Sequence, residues 1–254
     1  MKIFYSFCKK EALESLRTYR FIIMLAAFAL FGIMSPFLAK MLPDLVNSSL
    51  GNESAFQLPE ATAMDAWGQF FKNIGQMGVL VLAIVFCGIT ATELGKGTLV
   101  NILTKGMRRS TVILSKFTVS AIIWTVSYCL SLAVNTIYIV YFWGNVPVSN
   151  AFLALASPWV FGLLLITLMI LGGICFKNIL GSLLFAAGAI IIMSLLNIAP
   201  VIHKFNPISL SGGSVNLLSG QSVSGDIVPA LAVCLALMIL CISASILVFN
   251  RKQV

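Results

Sequence analysis

Six stretches of about 20 mostly apolar residues dominate this sequence and limit what it can fold into. An α-helix rises 1.5 Å per residue, so about 20 apolar residues cross the roughly 30 Å hydrocarbon core of a bilayer. Only 9% of the residues are charged, whereas soluble domains carry about 25%. The pattern predicts an all-α, polytopic membrane protein. We expect its six transmembrane helices at about residues 21–39, 74–92, 112–142, 152–176, 179–199 and 229–249.

The fourth and fifth stretches are separated only by Lys177 and Asn178. Together they are too long for one crossing, so a tight turn between two antiparallel helices is predicted there. Residues 112–142 exceed one bilayer thickness, and we expect this span to tilt or to project into the cytoplasm.

Basic residues are distributed unevenly around the predicted spans. Six spans place both termini on one side, and Lys and Arg in short loops favour the cytoplasm. One side holds 13 of the 16 basic residues: Lys2, Lys9, Lys10, Arg17, Arg20, Lys96, Lys105, Arg108, Arg109, Lys116, Lys177, Arg251 and Lys252. We therefore predict a multi-pass protein of the cell (plasma) membrane with cytoplasmic termini, and we read the net charge of +8 as an orientation signal rather than as a nucleic-acid footprint. Three tryptophans fall near predicted outer boundaries, where the indole N–H would face water: Trp67, Trp143 and Trp159.

The first 20 residues precede the first span and predict a helix lying on the inner membrane surface. Phe4, Phe7 and Cys8 recur at near-helical spacing among lysines there. The six cysteines lack paired spacing and His203 is the only histidine, so neither a metal site nor a catalytic site is predicted.

The connection between the second and third predicted spans carries a short apolar stripe. Leu99, Ile102 and Leu103 fall at helical spacing between Gly97 and Gly106. Apolar residues outside the bilayer and flanked by charge fit a groove in a partner protein. The alternative is a solvated loop whose positive charges serve only for orientation.

This connection resembles that of the permease subunits of type-2 ABC exporters. In that family an acidic residue ends the second span and is followed by Gly-Thr-Leu, a Leu-rich turn, Pro-x-Ser-Arg and a Lys that opens the third span. The matching residues here are Glu93, Gly97, Thr98, Leu99, Leu103, Arg109 and Lys116. Gly106 replaces the usual Pro and Arg108 the usual Ser.

The resemblance implies that residues 97–104 form a cytoplasmic coupling helix, which docks in a cleft of an ABC ATPase subunit. Glu93 would pair with nearby basic groups or cap this helix. The coupling residues would be Glu93, Gly97, Thr98, Leu99, Ile102, Leu103, Arg109 and Lys116. The implied partners are two ATPase subunits, a second permease subunit (identical or different) and membrane lipid.

ATP and Mg would belong to the ATPase, because this chain lacks a G-x-x-x-x-G-K-[ST] phosphate loop. We therefore expect a transport subunit that is not itself an enzyme and carries no cofactor of its own. No charged residue lies deep within a predicted span, which argues against a proton-driven carrier.

Scattered polar residues in otherwise apolar spans predict the walls of a substrate path: Ser127, Ser131, Asn135, Ser194 and Asn197. Such walls suit an amphipathic cargo, with a peptide as first choice and a lipid or hydrophobic drug as alternatives. One competing class is an intramembrane enzyme, which would need ionisable catalytic groups facing one another within the bilayer, and none is visible in the predicted spans. A second is a stand-alone channel or immunity protein without an ATPase.

Residues 200–228 follow the fifth span and contain Asn206-Pro207-Ile208 and four apolar side chains, Leu210, Val215, Leu217 and Leu218. In the family this region resembles short helices that dip back toward the bundle, and these residues would then pack against it. A plain external loop is the alternative.

Overall fold

The computed structural model describes residues 2–50, 59–97, 107–144, 150–220, 225 and 227–251. These residues are almost entirely helical, and no strand occurs among them. Among the described residues, six helices are long and apolar enough to cross a membrane: Arg20–Asn47, Ala63–Gly95, Arg109–Trp143, Ala151–Phe176, Ile179–Leu196 and Val228–Arg251. The predicted all-α architecture with six helices of membrane-spanning length is therefore confirmed.

Twelve helices are described over these ranges. They are α1 Lys2–Arg17, α2 Arg20–Leu50, α3 Ala63–Asn73, α4 Val79–Phe86, α5 Gly88–Gly95, α6 Arg109–Trp143, α7 Ala151–Phe176, α8 Ile179–Leu196, α9 Pro200–His203, α10 Ser209–Gly212, α11 Ser214–Leu218 and α12 Val228–Arg251. A π-helical turn, Ile74–Gly78, joins α3 to α4. Helix α1 falls within the segment for which an interfacial position is predicted, and that position stays a prediction.

The second long helix begins at Ala63, well before the predicted start at residue 74. A capping box starts it: the Thr62 hydroxyl accepts from the Asp65 N–H, and the Asp65 carboxylate accepts from the Thr62 N–H at 2.8 Å. Helix α3 has an apolar face, with Trp67 and Phe70 buried, and a polar face. Because α3 is apolar on one face only, a search for continuous apolar residues does not detect it.

Two other helix ends differ from the predicted bounds. Helix α2 continues to Leu50, beyond residue 39. Helix α8 ends at Leu196 rather than at residue 199. Ala199 is extended (φ −79°, ψ 118°) because the ring of the following Pro200 disfavours helical backbone in the preceding residue.

Helix α7 lies at the centre of the bundle, packed by α4, α5, α6, α8, α11 and α12. The most apolar part of α7 is 78% buried, against 11% for α8 and 17% for α12. The last two helices therefore leave most of their apolar surface uncovered by the rest of the described chain. Two glycines let neighbours approach α7 closely. Gly162 faces the Trp124 ring, and Gly173 faces Thr90, whose hydroxyl donates to the Ile170 carbonyl at 3.2 Å.

The predicted turn between α7 and α8 is confirmed. Lys177 adopts left-handed backbone (φ 57°) and ends α7. The Asn178 side chain then accepts from the Gly181 N–H and caps α8. Two residues thus reverse the chain, and the two helices pack along each other.

The segment after α8 folds back onto the bundle as α9, α10 and α11. Leu210, Leu217 and Leu218 are buried, with α10 and α11 packed on α3 and α7. The Asn206 amide donates to the Met193 carbonyl at 2.5 Å and so joins this segment to the end of α8. The prediction that these leucines pack against the bundle is confirmed, and the alternative of a plain loop is not.

The prediction that tryptophan N–H groups face water is wrong for two residues. The Trp143 indole donates to the Ala61 carbonyl at 2.7 Å, and the Trp159 indole donates to the Thr125 hydroxyl at 3.0 Å. Both donors are used inside the protein, because a partly buried N–H is costly without a partner.

Candidate functional site

Five charged side chains meet where α1, α5 and α6 converge, and we call them the charge cluster: Lys10, Glu11, Glu14, Glu93 and Lys116. The chain has only eight acidic residues, so the presence of three in one cluster is notable. Glu93 lies in the last turn and a half of α5, and Lys116 lies two turns into α6. The cluster therefore sits at both ends of the connection that contains residues 98–106.

Lys116 is the centre of the charge cluster and is 1% exposed. Its ammonium group donates to both carboxylate oxygens of Glu11 at 3.0 Å and lies 2.6 Å from Glu93 Oε2. An unpaired ammonium at this depth would be strongly unfavourable, and paired carboxylates offset that desolvation. Lys116 thus joins α1 and α5 to α6.

Lys10 forms a second bridge at the more exposed edge of the cluster. Its ammonium lies 2.6 Å from Glu93, 2.7 Å from Glu14 and 3.1 Å from Glu11. Partial burial opposes the charged form of Lys10, but the hydrogen bonds to Glu14 and Glu93 and the charge of Glu11 outweigh it and raise the pKa of Lys10 above its ordinary value. Lys10 therefore stays charged at neutral pH.

Helical spacing in α1 explains why this helix docks. Phe7, Glu11 and Ser15 recur every four residues and are all buried, so they form the face that α1 turns toward α6. Glu14 lies four residues after Lys10, which places these two side chains on neighbouring turns. The docking face of α1 is thus apolar at one end and anionic at its centre.

The three carboxylates of the charge cluster lie close enough to share an ion, with ligand oxygens within 4.8 Å of one another. Each carboxylate, however, already contacts at least one lysine ammonium. The arrangement is that of an ion-pair network that holds three helices together.

Gly97 and Arg109, two further residues of the matched motif, terminate helices. Gly97 has positive φ (67°) just beyond α5, and its N–H donates to the Leu94 carbonyl at 3.3 Å. A left-handed residue after a helix favours glycine, which lacks the Cβ that would be strained there. Arg109 donates to the carbonyls of Phe249 and Asn250 and lies over the Phe249 ring, so it caps the end of α12.

The remaining coupling residues, Thr98, Leu99, Ile102 and Leu103, lie outside the described residues. The coupling helix that the resemblance implies therefore stays a prediction. What the structure describes is the pair of attachment points: α5 leads into this segment, and α6 follows it.

The predicted substrate-path residues do not share one location. Ser127, Ser131 and Asn135 are fully buried on α6, where the Ser131 backbone packs on Gly32 of α2. Ser194 is exposed and Asn197 is partly exposed near the end of α8. Since α8 packs chiefly on α7, these two residues line a different surface, and a path through both sets stays a prediction.

Lys10, Glu11 and Glu14 belong to the site but were not predicted as site residues. A signal for them exists in the sequence. On the side that carries 13 basic residues, the acidic residues are Glu11, Glu14 and Glu93, and all three belong to the charge cluster. Because acidic residues are rare on this side, the three that occur there indicate ion pairs with particular basic residues.

No protein-family model matches this chain, and no curated protein is significantly similar to it.

Proposed function

We propose that this chain is the permease subunit of an ATP-driven exporter, similar to those of the type-2 ABC family. The observation that carries the proposal is the charge cluster, which clamps α5 and α6 at the two ends of the 98–106 connection and joins them to α1. A clamp at this position supports transmission of force, because a push on the connection would move two spans and the N-terminal helix together.

In this proposal the stripe formed by Leu99, Ile102 and Leu103 docks in a cleft of the ATPase. ATP and Mg bind there, and ATP hydrolysis takes place in that partner. Two ATPase subunits and a second permease complete the exporter, and the cargo is an amphipathic molecule, with a peptide as first choice. The unbalanced distribution of Lys and Arg supports a cytoplasmic position for the connection and both termini in this proposal.

The docking step is tested by affinity purification of this chain from its native membrane, followed by identification of any ATP-binding subunit that co-purifies. The double variant Leu99→Asp, Leu103→Asp is expected to lose the ATPase while still inserting, because two carboxylates cannot enter an apolar cleft without a large desolvation cost. The matched control is Leu99→Met, Leu103→Met, which keeps the stripe apolar and should retain the ATPase.

Retention of the ATPase by the Asp variant, or failure of the unaltered chain to bring down any ATP-binding subunit, would contradict the proposal and favour a protein that works alone. Glu93 is unsuited to this test. Its carboxylate pairs with Lys10 and Lys116, so a charge reversal there would disturb folding as well as docking.

The cargo is tested by uptake into inverted vesicles that contain the complete complex. ATP-dependent accumulation of an amphipathic peptide is expected. ATP turnover that no amphipathic peptide alters would remove the peptide assignment while leaving the docking result unaffected.

A further inference from the structure

Lys72 lines a groove at the end of the bundle opposite to the charge cluster. Lys72 lies at the end of α3, just before the π-helical turn, and is exposed. It forms no ion pair or hydrogen bond with any residue that the structure describes, and its side chain lines a cavity of about 330 Å³. π-Helical turns are rare and occur often at functional sites.

The cavity owes its space to missing side chains. Gly68, Gly75 and Gly212 line it together with Lys72 and Gln76. A Cβ added at Gly68 or at Gly212 would meet nothing within 4 Å. A second cavity of about 450 Å³ shares Gly68 and Lys72 and continues outward.

The charge in the inner cavity has one sign. Among the residues that the structure describes, Lys72 is the only charged one that lines it, and Gln76, one turn further along, adds an amide donor. Two acidic residues, Glu60 and Asp65, line only the outer cavity. Glu60 is exposed, and the Asp65 carboxylate already accepts from the Thr62 N–H and hydroxyl at 2.8 and 2.7 Å. The pocket therefore complements an anion.

Beyond this pocket, an apolar strip follows along the long helix Ala63–Gly95, toward its middle. Met77, Leu80 and Ile84 are 54%, 57% and 67% exposed. They follow Lys72 and Gln76 along one side of this helix. A cationic end followed by an exposed apolar strip matches the shape of a phospholipid, with its headgroup at one end and its acyl chains running into the bilayer.

We propose that an anionic phospholipid of the outer leaflet binds here, with its phosphate at Lys72 and Gln76 and its acyl chains along Met77, Leu80 and Ile84. The inference rests on the proposed topology, in which Lys72 lies on the outer side, and is independent of ATPase docking. The lipid would stabilise the packing of α3 against α10 and α11.

The test is native mass spectrometry of the purified chain in mixed micelles containing equal amounts of dioleoyl phosphatidylglycerol and dioleoyl phosphatidylcholine. The unaltered chain should retain the anionic lipid preferentially. Lys72→Gln should reduce the bound ratio of anionic to zwitterionic lipid about fivefold, as expected for one interfacial lysine, and Lys72→Arg should keep it. Gly68→Leu places a Cβ that would meet nothing within 4 Å and adds an isobutyl group to the cavity lining, so it should reduce retention of both lipids at this site.

Two controls separate the possible outcomes. Lys204→Gln removes a charge from the same predicted side outside the groove and should leave the lipid ratio unchanged. Sodium phosphate at millimolar concentration should not displace the lipid. An unchanged ratio in Lys72→Gln, equal loss in Lys204→Gln, or displacement by free phosphate would each overturn the proposal. Because no ATPase is present, these results are distinct from those of the docking test.

Discussion

Lys116 shows at the scale of one residue how a charge can be placed inside this bundle. Its ammonium is almost completely enclosed, yet it faces two carboxylates from two other helices. A network of this kind contributes little net free energy compared with an apolar core, but loss of the buried ammonium leaves Glu11 and Glu93 with only Lys10, at the more exposed edge, as a counter-ion among the described residues. The cluster therefore makes the relative placement of α1, α5 and α6 specific.

The first prediction concerns Lys116→Gln. Removal of the ammonium leaves Glu11 and Glu93 without their shared buried partner, and we expect a loss of about 3–5 kcal/mol in the free energy of unfolding. Thermal unfolding in detergent micelles measures the effect as a large fall in the midpoint temperature.

Lys96→Gln is the matched control, because Lys96 is an exposed lysine just beyond the same helix α5. It should change the free energy of unfolding by no more than about 0.5 kcal/mol. Equal midpoints for the two variants would mean that the cluster does not hold the helices together.

At the scale of elements, the packing of α5 on α7 depends on one small residue. Gly173 places its backbone so close to α5 that an added Cβ would lie 2.2 Å from the Thr90 hydroxyl and 3.0 Å from the Ala91 nitrogen. Close backbone approach at small residues is a common way for membrane helices to associate. It also keeps α5, which carries Glu93, against the central helix.

The second prediction is that Gly173→Ala destabilises the protein by about 1–3 kcal/mol, because the added methyl group overpacks the contact and forces the helices apart. Gly188→Ala on α8 is the control, since its Cβ would meet nothing within 4 Å. The two unfolding midpoints, measured side by side, should differ clearly. A Gly173→Ala variant as stable as Gly188→Ala would contradict the packing described here.

The sequence allows the long helices to be predicted because their signal is local: about 20 apolar residues in a row are readable without any knowledge of neighbours. Helix α3 is not predicted from the sequence, because its apolar residues occupy only one face. In addition, Thr62 and Asp65, which start it, resemble ordinary polar loop residues. The early end of α8 is a local effect that Pro200 could have indicated.

The charge cluster is harder to predict for a different reason. Glu93 and Lys116 can be selected from their motif, but their partner Glu11 lies 105 residues before Lys116. Such pairing is set by the packing of whole helices, which no local pattern encodes. The groove around Lys72, at the other end of the bundle, arises from glycines on two separate segments. It cannot be predicted until the relative position of these segments is known.

At the scale of the whole molecule, the orientation across the membrane can be tested directly. In a variant without the six native cysteines, we place single cysteines at Lys96→Cys and Lys204→Cys, both of which replace exposed residues. A membrane-impermeant maleimide should label intact cells at position 204, and at position 96 only after permeabilisation. The reverse pattern would invert the topology and remove both the docking proposal and the outer-leaflet lipid site.

The distance along the chain between Glu11 and Lys116 also has a consequence for biosynthesis. The two residues are 105 positions apart. Ribosomes add about 5–20 residues per second, so Lys116 is translated about 5–20 s after Glu11. Throughout that interval the N-terminal helix has no docking partner on α6. A nascent chain arrested before Lys116 should therefore leave this helix open to protease digestion, and release of the arrest should protect it.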